Sequence, residues 1–306
     1  MQIFGFTDFG GPDATRLLTV AEPSPGPGEV LIAMRAAGVN PADIKVRNGQ
    51  RRNVVAVRLP MAMGREAAGR VLALGEGVHG FAVGDDVFGA TASGTGAFAE
   101  RVLLEAAATA RVPAGLDLAQ AACIPVAAGT AYDVLHELGL RPGQGLLVLG
   151  AGGGVGTAVL QLARSAALRV VGVASAGKRD LVRGFGGEPV ATGAGWIECA
   201  RSFAPEGFDG LLDLVGGDTL RAATTLLRPG AAPTSIADPG LAAQLGGRGV
   251  TRRRTRGVFA EVAELAVRGV LRIRVTAAMP LERAADAVAL VEAGHAAGKV
   301  VVTNGC

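Results

Sequence analysis

Aromatic side chains make up only 4% of the chain, with one Trp (Trp196) and one Tyr (Tyr132). A platform on which successive nucleobases stack is therefore excluded. Lysine is nearly missing: only Lys45, Lys178 and Lys299 occur, and arginine supplies the remaining positive charge. Charged residues reach just 19% and almost cancel, leaving a formal +3, so neither a polyelectrolyte nor a disordered chain fits. Cys123, Cys199 and Cys306 form no CxxC pair and are odd in number. A secreted disulfide framework is not expected. No basic-then-apolar leader with a small-residue cleavage site opens the sequence, and a cytoplasmic location is the expectation.

What is present is apolar mass: 49% of 306 residues, enough for two domains with their own cores. Residues 142–163 carry no charge, but their middle is GAGGGVG (150–156), which suits a strand–turn–helix better than a lipid-facing helix. No membrane partner is expected. The one dense basic run is RRRTR at 252–256, with no nucleic-acid module around it. It reads as a solvated strand edge or an anion contact, and no nucleic-acid partner is expected.

The first third is β-like, with short apolar runs at 30–37 (VLIAMRAA), 67–74 (AAGRVLAL) and 86–90 (DVFGA) punctuated by Pro and Gly. This pattern predicts a partly open barrel. From about residue 118 buried strands alternate with helices. Strands are expected at 145–150, 168–174, 208–215 and 231–236, and helices at 155–166, 178–185 and 219–227. Such alternation makes right-handed βαβ units around a parallel sheet. Helices at 259–268 and 281–293 and a closing strand at 299–303 suggest that the chain returns to its first domain. The expected division is 1–117, 118–255 and 256–306.

The best-placed motif is Ala151-Gly152-Gly153-Gly154-Val155-Gly156, an AxGxxG form of the dinucleotide fingerprint between a buried strand and a helix. Gly153 lets the backbone approach a pyrophosphate, Gly156 permits close helix–strand contact, and Gly154 and Val155 open a helix whose N-terminus favours anions. At the end of the next strand an NAD site usually carries Asp or Glu. Here Ala174 and Ser175 stand there, followed by Lys178 and Arg179. A hydroxyl and two cations suit a 2′-phosphate, so the expected cofactor is NADPH.

Six segments carry a family resemblance: AAGVNPAD (36–43), GEGVHGFAVGDDVFG (75–89), IPVAAGTAY (124–132), GAGGGVG (150–156), FDGLLDLVGG (208–217) and PLERAADAVALVEAGHAAGKVVV (280–302). In this order they resemble the zinc-independent quinone oxidoreductase branch of the medium-chain dehydrogenase/reductase superfamily. The resemblance implies an α/β protein: a GroES-like, partly open β-barrel catalytic domain interrupted by a Rossmann dinucleotide-binding domain. It further implies a homodimer and hydride transfer to a small-molecule quinone or enone. Alternatives are an enoyl reductase of a biosynthetic pathway and an NADPH-binding protein without turnover.

Where zinc-dependent relatives carry Cys, His and Cys, this chain has Asn40, Arg65 and Val126, which supply no thiolate or imidazole. No metal is expected. His79, His136 and His295 lack ligand spacing and read as surface or packing residues. The resemblance makes Asn40 the candidate facing the nicotinamide or substrate, with Thr130 contacting the cofactor. Lys45 stands where some quinone oxidoreductases have Tyr, and is a candidate proton donor or ligand for an acidic substrate. Asp43 is read as an anchor for this loop, and Arg65 as an anion clamp or a partner of Glu66 or a neighbouring carboxylate. Lys299 is read as part of a structural strand, with a cofactor contact as the alternative, and Val215 and Ile236 as walls beside the nicotinamide.

Overall fold

The computed structural model describes residues 1–294 and 296–305; His295 and Cys306, two residues named above, lie outside them. Seven strands come first: β1 (Gln2–Phe6), β2 (Thr15–Thr19), β3 (Glu29–Val39), β4 (Met61–Ala62), β5 (Glu66–Leu74), β6 (Asp86–Thr91) and β7 (Arg101–Arg111). A second set follows, β8 (Gly145–Leu149), β9 (Arg169–Ala174), β10 (Glu188–Ala191), β11 (Gly210–Asp213) and β12 (Pro233–Ser235). The chain closes with β13 (Val275–Pro280) and β14 (Lys299–Thr303).

Two compact units result. One comprises Met1–Gly129, Arg254–Gly269 and Ile273–Cys306, the other Thr130–Arg253 and Val270–Arg272. In the first unit the sheet runs β13-β14-β3-β5-β6-β7, and β3 pairs also with β7, so four strands close into a barrel that β14 and β13 extend. β3 is long enough to serve three neighbours because nearly all its side chains find apolar cover, including Val30, Ile32, Met34 and Val39. Phe6, Phe98 and Leu104 pack in the same core. At Gly69 of β5 a Cβ would lie 2.0 Å from the Ala33 carbonyl oxygen, so the bulged β3–β5 register requires glycine.

The second unit holds an all-parallel sheet in the order β10-β9-β8-β11-β12. Its central strand β8, GLLVL, is fully buried, as a strand covered on both faces must be. The charge-free stretch resolves into β8, a glycine turn and the helix Gly154–Ser165.

The division differs from the sequence expectation at both joints. Residues 118–129 go with the barrel because Gln120 Nε2 donates to the Ile273 carbonyl and the Val126 N–H donates to Glu66. Residues Val270–Arg272 belong to the parallel-sheet unit, where the Gln161 amide exchanges two hydrogen bonds with the Arg272 backbone. The basic run is not a solvated edge either. Arg252 and Arg253 both pair with Asp133, which is 1% exposed, and the Thr255 hydroxyl caps the helix Arg256–Val267.

Candidate functional site

In an open parallel sheet the ligand crevice lies beyond the carboxyl ends of the strands. All ten cofactor candidates fall there. β8 runs into Gly150, whose φ of +78° only glycine adopts without strain, and the chain turns through Ala151 and Gly152. Gly153 then serves as N-cap of the helix Gly154–Ser165. A Cβ at Gly156 would lie 2.5 Å from the Gly150 carbonyl oxygen and 2.6 Å from Ala151, so helix and strand touch through this glycine. At Gly153 a Cβ would meet just the Gly150 oxygen, at 3.6 Å. The protein therefore leaves open the space that a side chain at 153 would fill. No acidic residue lies in the first helical turn, and its free N–H groups keep their positive potential.

β9 ends beside this turn. Ser175 and Arg179 are exposed, while Lys178 is half-buried with its aliphatic stem over Gly152: a Cβ there would come within 2.5 Å of Lys178 Cδ. Burial holds the Lys178 ammonium below its ordinary range. Beyond β11, Val215 is 54% exposed, and Ile236 follows β12. Sequence reasoning missed what shapes these two ends. Asp213, fully buried, accepts N–H bonds from Val215 and Gly216 through Oδ1 and the Ser235 hydroxyl through Oδ2. An acid inside the apolar run FDGLLDLV was the available signal.

The barrel unit holds a second polar assembly. Lys299 Nζ, on β14, donates to Glu66 Oε1 at 2.9 Å, to the Val39 carbonyl at 3.2 Å and to Asn40 Oδ1. Glu66 is fully buried, and its Oε2 takes the Val126 N–H at 2.7 Å. Lys299, read as part of a structural strand or a cofactor contact, is the cation of a buried ion pair, and it takes the Glu66 carboxylate that was one candidate partner for Arg65. Asn40, expected to face the nicotinamide or substrate, directs both amide hydrogens inward, to the Gly38 carbonyl and Glu66 Oε1.

Asp43 accepts the Asn40 N–H through Oδ2, anchoring the loop, while its buried Oδ1 has no hydrogen-bond partner among the described residues. Burial pushes its carboxyl up to about 7, against the pull of that hydrogen bond and of Arg65. Lys45 lies half-buried on the helix Pro41–Arg47. Thr130 is buried on the helix Gly129–Leu138, in the other unit.

Residues 26–114 match the alcohol dehydrogenase GroES-like domain, and residues 190–302 match the zinc-binding dehydrogenase domain. The chain belongs to the medium-chain dehydrogenase/reductase superfamily. Within it, the synaptic vesicle membrane protein VAT-1 homologue of Rattus norvegicus is 37% identical over 229 residues, 73% of this chain and 56% of that protein. A quinone oxidoreductase of Lama guanicoe is 39% identical over 176 residues, 57% of this chain and 52% of that protein. The 2-methylene-furan-3-one reductase of Solanum lycopersicum is 35% identical over 198 residues, 61% of this chain and 51% of that protein. The matches thus span about half the length of these curated relatives.

Among solved structures, the quinone oxidoreductase from Coxiella burnetii superposes with a TM-score of 0.90 at 26% identity, covering 99% of both chains. A mycobacterial protein complexed with NADPH gives 0.86 at 28%, again covering 99% of both. The GroES-like barrel and the Rossmann-type sheet are those of this superfamily. The zinc of the zinc-binding dehydrogenase domain finds no fitting donors at positions 40, 65 and 126. Asn40 and Val126 are not thiolates, Arg65 is not an imidazole, and the Asn40 carbonyl oxygen faces an ammonium.

Proposed function

We propose that the protein is an NADPH-dependent, zinc-free reductase of quinones or α,β-unsaturated carbonyl compounds, working in the cytoplasm as a homodimer. The observation that carries this reading is the convergence of the glycine turn, Ser175, Lys178, Arg179, Val215 and Ile236 on one edge of the parallel sheet. The pyrophosphate would rest on the N–H groups of Gly154, Val155 and Gly156. A 2′-phosphate would meet the Ser175 hydroxyl and the Lys178 and Arg179 cations, and β9 ends in Ala174 rather than in Asp or Glu. Val215 offers an exposed apolar wall, held in place by Asp213. When bound, the dihydronicotinamide supplies a hydride to the acceptor's electrophilic carbon or quinone oxygen, and a proton completes the reduction. Lys45 and Thr130 are the catalytic candidates that remain, as proton donor and as cofactor contact. The quinone oxidoreductase and furanone reductase relatives and the NADPH-bound neighbour support this reading.

The test is oxidation of NADPH and of NADH by the purified protein against a panel of quinones and enones, with Lys178→Glu in parallel. Turnover with NADPH preferred is expected, and Lys178→Glu should weaken NADPH at least tenfold more than NADH. Equal losses for both cofactors would remove Lys178 from the phosphate site. No turnover with either acceptor class would refute the reductase assignment.

A further inference from the structure

In the parallel-sheet unit the chain runs from β8 through β9 to β10 on one side, then returns to β11 and β12 on the other. The switch point therefore lies between β8 and β11, and a dinucleotide laid across it puts one nucleoside over each half of the sheet. The glycine turn after β8 takes the pyrophosphate, and Ser175, Lys178 and Arg179 after β9 take the adenosine side. The nicotinamide nucleoside then falls to the ends of β11 and β12.

The chain builds a continuous surface at those ends. A Cβ at Gly150 would lie 3.1 Å from Leu214 Cβ and 3.2 Å from Val215 Cγ2, so the segment after β11 packs directly on the glycine turn. A Cβ at Gly216 would lie 3.2 Å from Asp238 Cβ and 3.7 Å from Ala237 Cβ, so the same segment packs on the one after β12. Gly216 and Gly217 carry successive φ values of +88° and +57°, a turn that few contacts would hold by themselves.

One side chain ties these parts together. Asp213 ends β11, and its Oδ1 takes the Val215 and Gly216 N–H groups at 2.9 Å each. Its Oδ2 takes the hydroxyl of Ser235, the last residue of β12, and the Ser235 oxygen in turn takes the Asp238 N–H at 2.9 Å. The Asp213 carbonyl accepts the Ile236 N–H at 3.0 Å. Asp213 is fully buried, and among the described residues no cation pairs with it. An apolar residue would continue the run GLL of β11 without the cost of burying a carboxyl group. What Leu could not do is fix both segments and keep Val215, 54% exposed, turned outward beside the glycine turn.

We propose that Asp213, acting through Val215, Gly216 and Ser235, is the positioning residue for the nicotinamide half of the cofactor, presetting one wall from the two strand ends. This rests on the dinucleotide reading of the glycine turn. Calorimetry on the intact protein measures binding of NADPH and NADH, each beside its form without nicotinamide, 2′-phospho-ADP-ribose or ADP-ribose. The wild type should bind the preferred dinucleotide more tightly than its truncated form. Asp213→Ala should weaken that dinucleotide about tenfold, because Val215 and Ile236 must then be ordered on binding, and should leave the truncated form unchanged. Asp213→Asn keeps an acceptor for the two N–H groups and a donor toward the Ser235 oxygen, so it should stay within about threefold of the wild type. Ser235→Ala cuts only the tie to β12 and decides the matter if Asp213→Ala does not fold. It should lose at least about threefold, again for the dinucleotide alone.

Equal losses for dinucleotide and truncated form would make Asp213 a structural residue and overturn the proposal. So would a loss in Asp213→Asn as large as in Asp213→Ala. If the wild type binds neither dinucleotide, the cofactor reading fails and the proposal with it. If it binds one, and Asp213→Ala and Ser235→Ala bind it equally well, the cofactor reading stands and only the proposal fails.

Discussion

Replacing Lys299 by Met removes the cation from a buried network while keeping most of the side chain's volume. Lys299 is 5% exposed and Glu66 fully buried, and they are 2.9 Å apart. In the variant Glu66 retains the Val126 N–H and the Asn40 amide, but no positive charge touches it. Breaking one partner of a buried pair costs about 3–5 kcal/mol, because the remaining charge is stranded in a poor solvent. That is a large share of the roughly 5–15 kcal/mol that holds an ordinary domain folded. Lys299→Met with Glu66→Leu strands neither charge, so the double variant should be more stable than the sum of the two single losses predicts. Urea unfolding followed by circular dichroism measures both units, while Trp196 fluorescence reports the parallel-sheet unit. The circular dichroism transition should separate and move to lower urea, with the Trp196 transition less affected. A single-variant loss below about 1 kcal/mol, or strict additivity in the double variant, would refute the argument that the pair is a desolvated unit.

Two glycines of the turn should behave oppositely. Gly153→Val should keep the fold, since its Cβ meets one atom at ordinary contact distance, yet abolish cofactor binding measured by fluorescence titration. Gly156→Ala should lower stability by about 1–3 kcal/mol, because its Cβ would collide with the Gly150 and Ala151 backbone. Asp43 makes a pH-dependent contribution. Its carboxyl titrates near 7 when folded and near 3.8 when unfolded, so the folded state holds the extra proton between those values. Its stability contribution is complete below the lower value and is lost as pH rises through the higher one. The stability of Asp43→Asn relative to wild type should therefore improve by about 2.5 kcal/mol from pH 5 to pH 8, read from urea midpoints. A difference independent of pH would contradict the raised value.

The parallel-sheet unit was legible in the sequence because its determinants are local. An apolar run of five, a glycine turn and an amphipathic helix follow one another within 21 residues, Gly145–Ser165. The expected strand at 299–303 and the runs at 30–37, 67–74 and 86–90 also became strands, several extended by a residue or two. Short elements escaped notice: β4 has two residues and exists because β1 lies beside it.

What the sequence by itself determined was the family, the strand–turn–helix that would cradle a pyrophosphate, and the lack of thiolate and imidazole where zinc ligands would stand. Only the tertiary structure decided which charges meet. Lys299 and Glu66 are separated by 233 residues, and Arg253 and Asp133 by 120. No periodicity or spacing along the chain relates such residues. Lys299 lies in a run, KVVVT, that any buried strand might have, and its role appears when β14 pairs with β3 beside Asn40. The same closure turns Asn40 inward and leaves Arg65 without the carboxylate next to it in sequence. Burial makes an unpaired charge costly, so the fold, rather than residue identity, settles which charges are paired.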